Sequence, residues 1–452
     1  MKKYARYFFA ILFAYNQSGT VVAQTAPVIT SWLVNTSGLT GRHYTSGNST
    51  PIVDTFQANV QWVKYSDNFV YVYANGVAGY IVGPFINNPK IVAPQHRLYK
   101  IPRNPQPNTG NPTAVGPGKN GLFINGVPYF NAGDGRSYNN GNKWHNNAFI
   151  FENNGVDCSK GHPEITGSYH HHQNPSAFNV ATVVNSTICN PYLADGLYVP
   201  DSNQHGPLIG YSFDGFPVYG AYGYADAQNM GSTIKRMRPS WQLRNITSRT
   251  TLPDGTSAVG PAIGAPIQNP GSVINAVLGA YKEDYEFVAG SGDLDEHNGR
   301  ICKTPEYPAG IYCYFATIDQ NGNSLYPYIT GPTYYGVVQT VNFQMGQTVV
   351  INEPVIDYVP LTEVRNPESE SLNYTIYPNP SHDILVVQSS VARRETRTVK
   401  LMSLDGKVLQ TELLHQGSTM CYFNTESLYK GVYLISIEGD SGKQVNRVII
   451  GN

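Results

Sequence analysis

Charge is scarce in this chain: Asp, Glu, Lys and Arg together make up 13% of its 452 residues, about half the usual share of a soluble domain. So few charges beside 44 Gly and 31 Pro exclude a coiled coil or a helical bundle. Thirty basic residues against 31 acidic ones leave a net charge of −1, so no global field recruits nucleic acid or an anionic membrane. The one basic run, Arg393-Arg394 with Arg397 and Lys400, is broken by Glu395. Long apolar runs are missing as well, and no segment reaches the roughly 20 residues that a membrane span needs. The five cysteines include no CxxC pair, which argues against a cysteine zinc site. The six methionines form no cluster, which argues against a thioether Cu(I) site. What the chain does have is 33 Tyr among Asn, Gly and Pro. That composition predicts an exported, loop-rich, mainly β protein.

The start, MKKYARYFFAILFAYNQSGTVVAQ, follows the secretory pattern. Lys2, Lys3 and Arg6 precede a short apolar stretch, Tyr7 to Tyr15, and Val21-Val22-Ala23 offers small residues for cleavage. Residues 1–23 are therefore expected to be a signal peptide. An oxidising destination permits disulfides; Cys158/Cys189 and Cys302/Cys313 are the candidate pairs, with Cys421 left over.

Three textures divide the rest. Residues 24–351 carry short alternating runs, such as Val70, Val72 and Ala74 against Phe69, Tyr71 and Tyr73, and hairpin-type Asn-Gly pairs at 75–76, 125–126 and 321–322. Strand should dominate there, with helix confined to short pieces such as Val273 to Ala280. Residues 352–373, rich in Pro and acids, read as a solvated linker. Residues 374–452 alternate through about seven strands joined by Asp405-Gly406, Lys430-Gly431 and Ser441-Gly442, which predicts a small C-terminal β-sandwich.

That tail carries Tyr377-Pro378-Asn379-Pro380, then Asp405-Gly406-Lys407-Val408, then Leu428-Tyr429-Lys430-Gly431-Val432-Tyr433-Leu434, with Lys443 ahead of the last strand. In this order the segments resemble the C-terminal sorting domains of type IX (Por) secretion cargo in Bacteroidetes. The resemblance implies passage through the outer membrane by the type IX machinery, removal of the tail, and release or surface anchoring.

Six of the eleven histidines fall between His145 and His205, densest in DCSKGHPEITGSYHHHQNP. On a strand, His170 and His172 share one face about 6.5–7 Å apart while His171 faces away. Two imidazoles so placed can begin a metal site. His162 lies eight residues upstream, across a loop able to return the chain, and His205 is the fourth candidate ligand. The competing reading is a polar strand whose histidines are structural.

The middle of the chain also resembles the YHYH-domain family. Gly161-His162-Pro163 precedes Tyr169-His170-His171-His172 in the motif position, and the block from His205 to Gly220 follows. Asp293 to Arg300 and Tyr307 to Tyr312 match the later blocks, so the resemblance runs from about 118 to 336. The second Tyr of the motif is His171 here, but both family histidines, His170 and His172, remain. The resemblance implies a fold and a motif without an established reaction.

Imidazole ligands suit copper, zinc or nickel rather than calcium or magnesium. The abundant tyrosines, Tyr169 and Tyr219 first, tilt the choice to copper over zinc. Asp214 in SFDGFPVYG is a candidate to orient a ligand or act as a base, against the plainer role of holding an Asp-Gly turn. The loop GSGDLDEHNGR, with Asp293, Asp295 and Asn298, admits calcium but departs from the EF-hand spacing at His297 and Gly299. Gly210-Tyr211-Ser212-Phe213-Asp214 lacks the second Gly of a nucleophile elbow, and no phosphate loop, dinucleotide fingerprint or HExxH helix occurs. Two functions stand: a secreted metal-binding protein, with oxidoreductase or hydrolase chemistry at an open coordination position, or a non-catalytic surface module for glycan or protein. Convergence of His162, His170 and His172 separates them.

Overall fold

The computed structural model describes residues 26–86, 88, 90–177, 195–269, 272–343, 349–360, 374–389, 395–404, 406–439 and 442–451. The expected signal peptide and Cys189 lie outside these residues. The fold is mainly β. Among the described residues helix is limited to single turns, such as Pro27–Thr30 and Ala148–Phe151.

An eight-stranded mixed sheet organises the large domain. In chain order its strands are β1 (Lys119–Phe123), β2 (Pro128–Phe130), β3 (Gly161–Pro163), β4 (Tyr169–His171), β5 (Leu208–Ser212), β6 (Pro217–Tyr219), β7 (Gly299–Cys302) and β8 (Ile311–Phe315). In space they run β3-β4-β2-β1-β5-β6-β8-β7. The Asn125-Gly126 turn closes the β1–β2 hairpin, with Gly126 at φ +81°, a backbone conformation that glycine adopts without strain.

A four-stranded sheet packs on one face of the large one. Its order is Ile356–Tyr358, Val60–Tyr65, Phe69–Ala74, Arg97–Pro102. Val63, Val70, Val72, Tyr99 and Ile101 from this sheet share a core with Leu122, Tyr211, Tyr219 and Phe315 from the other. The alternation read at 69–74 is therefore the packing face of a strand. The other face of the large sheet, with Phe123, Tyr129, Tyr169 and Ile209, packs on a second core.

Three expectations need correction. Residues 273–280 are not helical: Ser272–Asn275 is a strand paired with Pro266–Asn269, because Val273 and Ile274 alternate between exposed and half-buried faces. The segment read as linker does not run free from its start, since Ile356–Tyr358 adds a strand beside Val60–Tyr65 and Tyr71 donates its hydroxyl to Glu353. Cys302 and Cys313 are free buried thiols. The register opposes Cys302 to Ile311 and Cys313 to Arg300, so the two cysteines are diagonal neighbours, about 7–8 Å apart between Cα atoms. Their thiols meet as a hydrogen-bonded pair of free thiols. Cys158, by contrast, is disulfide-bonded.

The tail is a β-sandwich. Tyr374–Tyr377, Ile384–Ser389 and Met420–Asn424 form one sheet; Arg397–Met402, Val408–Leu414, Gly431–Gly439 and Gly442–Ile450 form the other. Leu385, Val387 and Phe423 meet Val399, Leu401, Ile435 and Val448 between them, and the free Cys421 is buried in that core. Gln416 and Ser418 hydrogen-bond to the carbonyls of Val34 and Gly79, which ties this sandwich to the large domain.

Candidate metal centre

Strand pairing assembles the histidines. In the β3–β4 ladder His162 stands directly opposite His170, and Gly161 opposite His171. Residues opposed in an antiparallel pair share a face, and His172 follows His170 by two residues. All three imidazoles therefore project from the same side of the sheet edge. They are buried, each offering a ring nitrogen, and those nitrogens lie within 4.8 Å of one another. Among the described residues this is the group of His, Cys, Asp or Glu whose ligand atoms converge so closely.

The loop before β3 fixes the position of His162. Asp157 accepts the amides of Ser159 and Gly161 on one oxygen, and the Gly83 amide and Tyr169 hydroxyl on the other, all at 2.9–3.0 Å. Gly161 permits the close pairing: a Cβ there would sit 2.4 Å from the Tyr169 hydroxyl oxygen.

The ring tautomers follow from their acceptors. His170 Nδ1 lies 3.0 Å from the Ser168 carbonyl and His172 Nδ1 2.6 Å from the Asn131 carbonyl. A carbonyl only accepts, so both Nδ1 atoms carry hydrogen, which frees the Nε2 lone pairs. Those two Nε2 atoms are 3.2 Å apart. Backbone capping at one nitrogen with convergence at the other is how proteins orient ligating histidines. Phe130 stacks on His170 with ring centres 3.9 Å apart and meets His172 edge-on, which restrains both rings.

Glu152 completes the cluster. Asn147 caps the turn Ala148–Phe151 by accepting the Phe149 amide, and Glu152 ends it, its own amide reaching the Ala148 carbonyl. Its Oε2 lies 2.9 Å from His172 Nε2 and 3.2 Å from His162 Nε2. Burial penalises the charge on Glu152, yet His172 and His162 hold its carboxyl well below the usual range. Burial likewise opposes a charge on His172, but Glu152 carries its pKa above the ordinary value. Burial and then its two histidine neighbours drive His170 well below.

The donor set fits a transition metal. Two nitrogens bound tetrahedrally at about 2.0–2.1 Å from one ion stand about 3.3 Å apart, close to the 3.2 Å between His170 and His172. His162 Nε2 and Glu152 Oε2 are buried and face each other across 3.2 Å, a contact that an ion between them would satisfy. The cluster lies at the wall of an open cleft of about 600 Å³.

The remaining candidates lie elsewhere. His205 faces Tyr219 and Tyr224 with ring centres 5.2 and 4.8 Å away, and its Nδ1 meets the Gly206 carbonyl. Tyr219 is on β6, four strands from β4, which is roughly 19 Å at the usual strand spacing. Its hydroxyl is engaged with Thr304 and Glu306. Tyr169 projects to the opposite face with His171, whose Nε2 meets the Tyr80 hydroxyl at 2.9 Å. Burial drives the His171 pKa down to about 3. Asp214 holds its turn, accepting the Phe216 and Gly336 amides and the Tyr314 hydroxyl. In the loop read for calcium, Asp293 pairs with Lys235 and Arg238, and Asp295 accepts the amides of His297 and Gly299 and the Tyr312 hydroxyl. Sequence reasoning missed Glu152. In AFIFENNG it has neither periodicity nor a motif, and only the return of a one-turn helix brings it to the histidines.

A family model described as YHYH protein matches residues 98–326, just over half of the chain, and one described as secretion system C-terminal sorting domain matches residues 375–451. No curated protein matches the chain.

Proposed function

The chain belongs to the YHYH protein family and ends in a sorting domain that takes it across the outer membrane, to the cell surface or the medium; from that premise we propose that it is an exported, metal-dependent hydrolase. His162, His170, His172 and Glu152 would hold the ion. The observation that carries this reading is the convergence of three buried imidazoles on a fourth, anionic donor beside an open cleft.

Zinc is the better fit than copper. The tyrosines that favoured one-electron chemistry are turned away, Tyr169 to the opposite face and Tyr219 to the far strands. A carboxylate beside three imidazoles suits a redox-inert, borderline ion. Such an ion supplies Lewis acidity and a water of lowered pKa. Glu152 would complete the ligand set, and its carboxylate could hold the proton of a water beside the histidines. Phe130 and the carbonyls of Ser168 and Asn131 keep the rings aimed throughout. The family segment and the sorting tail divide the labour, chemistry in the first and address in the second.

Competitive titration of the metal-free protein with zinc and copper(II) tests the reading. We expect one equivalent bound, and an affinity on the order of 100-fold weaker in Glu152→Gln, the share of about 3 kcal/mol that one of four ligands carries. An unchanged affinity in that variant removes Glu152 from the site, and no saturable binding of either ion removes the metal.

A further inference from the structure

The cleft beside the histidines has a cationic end, which Glu164 offsets only through space. A bulge between Lys119 and Gly121 sets Lys119 opposite Phe130, and the parallel β4–β2 register, His171 beside Tyr129, sets Phe130 beside His172, so His172, Phe130 and Lys119 form a row across β4, β2 and β1. Lys119 Nζ stands 5.9 Å from the Phe130 ring centre, and that ring stacks on His170. Arg97, on the edge strand Arg97–Pro102 of the smaller sheet, lines the same cleft. Its Nε is buried without a hydrogen-bond partner.

Neither cation has an ion-pair partner among the described residues, and the three carboxylates of the cleft are committed to other groups. Glu152 serves the histidines. Glu164 caps its own turn, accepting the amide and hydroxyl of Thr166. Asp134 accepts the Arg136 amide and the Asn146 side chain. Burial and then the Arg97 charge bring the Lys119 ammonium down to about 8, against the opposing pull of Glu164. Two like charges held together in a half-closed cleft destabilise the unliganded fold, and a bound anion relieves that repulsion.

We propose that Lys119 and Arg97 form an oxyanion subsite that takes the carboxylate, phosphate or sulfate group of a substrate reaching the histidines with its other end. His170 and Lys119 are two strands apart, about 10 Å at the usual spacing. That spacing between backbones suits an elongated substrate, with its anion away from the reacting bond. This rests on reading the cleft as a substrate site, but its test does not need the metal.

Metal-free full-length protein is titrated calorimetrically with inorganic phosphate, sulfate and acetate, in the wild type, Arg97→Gln, Lys119→Gln, Lys119→Arg and His170→Ala/His172→Ala. At least one anion should bind the wild type, at least tenfold more weakly to either Gln variant. The Lys119→Arg and double-histidine variants should keep that binding. The anion bound tightest identifies the substrate's group. Retention in Lys119→Arg shows that loss in Lys119→Gln comes from charge and not from misfolding. Loss in the histidine variant would instead assign the anion to the metal centre and overturn the subsite. No binding by the wild type, or equal binding in both Gln variants, overturns it as well. Absence of metal binding with these anion results intact would sink the hydrolase and leave the subsite standing.

Discussion

Replacing His170 and His172 together by alanine is expected to weaken zinc binding by on the order of 10⁴-fold. Four-ligand zinc sites hold their ion by about 10–16 kcal/mol, so each ligand carries about 3 kcal/mol, and two carry about 6. The second consequence is thermal. Zinc at 100 times its Kd should stabilise the wild type by about 2.7 kcal/mol, and the double variant should melt at the same temperature with or without zinc. His171→Phe supplies the contrast: its ring is buried on the opposite face against Phe123 and Tyr169, so it should leave zinc affinity unchanged. A double variant that binds zinc as the wild type does would place the ion elsewhere.

The largest effect on stability is expected from Arg249→Ala. The guanidinium is fully buried, as is its partner Asp284, and all five of its N–H donors find acceptors. Nε and Nη2 reach the two Asp284 oxygens at 2.7 Å, while Nη1 and Nη2 reach the carbonyls of Pro261, Ala276 and Val277. Asp284 in turn accepts the amides of Gly279 and Tyr281. The pair thus closes a stretch with little regular structure around Trp144, Phe151 and Tyr281. Removing the cation strands a carboxylate and three carbonyls without water, which costs about 3–5 kcal/mol. Urea unfolding of the variant should show that loss. A loss below about 1 kcal/mol would mean that water enters and the closure is looser than its hydrogen bonds indicate.

Local pattern carried much of this fold. Alternation at 69–74 and the Asn125-Gly126 turn read directly as strand and hairpin, because both depend on neighbours in sequence. The shared face of His170 and His172 follows from the same period of two, and it explains why a histidine in place of the motif's second tyrosine leaves the cluster intact. What stayed hidden depends on pairing across the sheet. His205 opens a conspicuous block, but the order β4-β2-β1-β5-β6 carries it away from His170, and no local signal encodes that order. Lys119 reaches the site's face through a bulge, which a strict alternation would place on the other side. Cys302 and Cys313 lie close enough in sequence to suggest a bond, and the fold brings their thiols into hydrogen-bonding contact as free thiols offset by two residues in register. The short strand at Ile356–Tyr358 is built from a stretch rich in Pro and acids, and its neighbour Val60–Tyr65, not its own composition, makes it a strand.

The most direct test of a metal centre built from His162, His170, His172 and Glu152 is elemental analysis of the exported chain. The protein should be purified without a histidine tag, beside the His170→Ala/His172→Ala variant. About one transition-metal ion per chain, zinc before copper, is expected in the wild type and none in the variant. A wild type that holds no stoichiometric metal, even after reconstitution with zinc and with copper, would contradict it. The four side chains would then be a buried ion-pair network, with Glu152 and a protonated His172 at its centre.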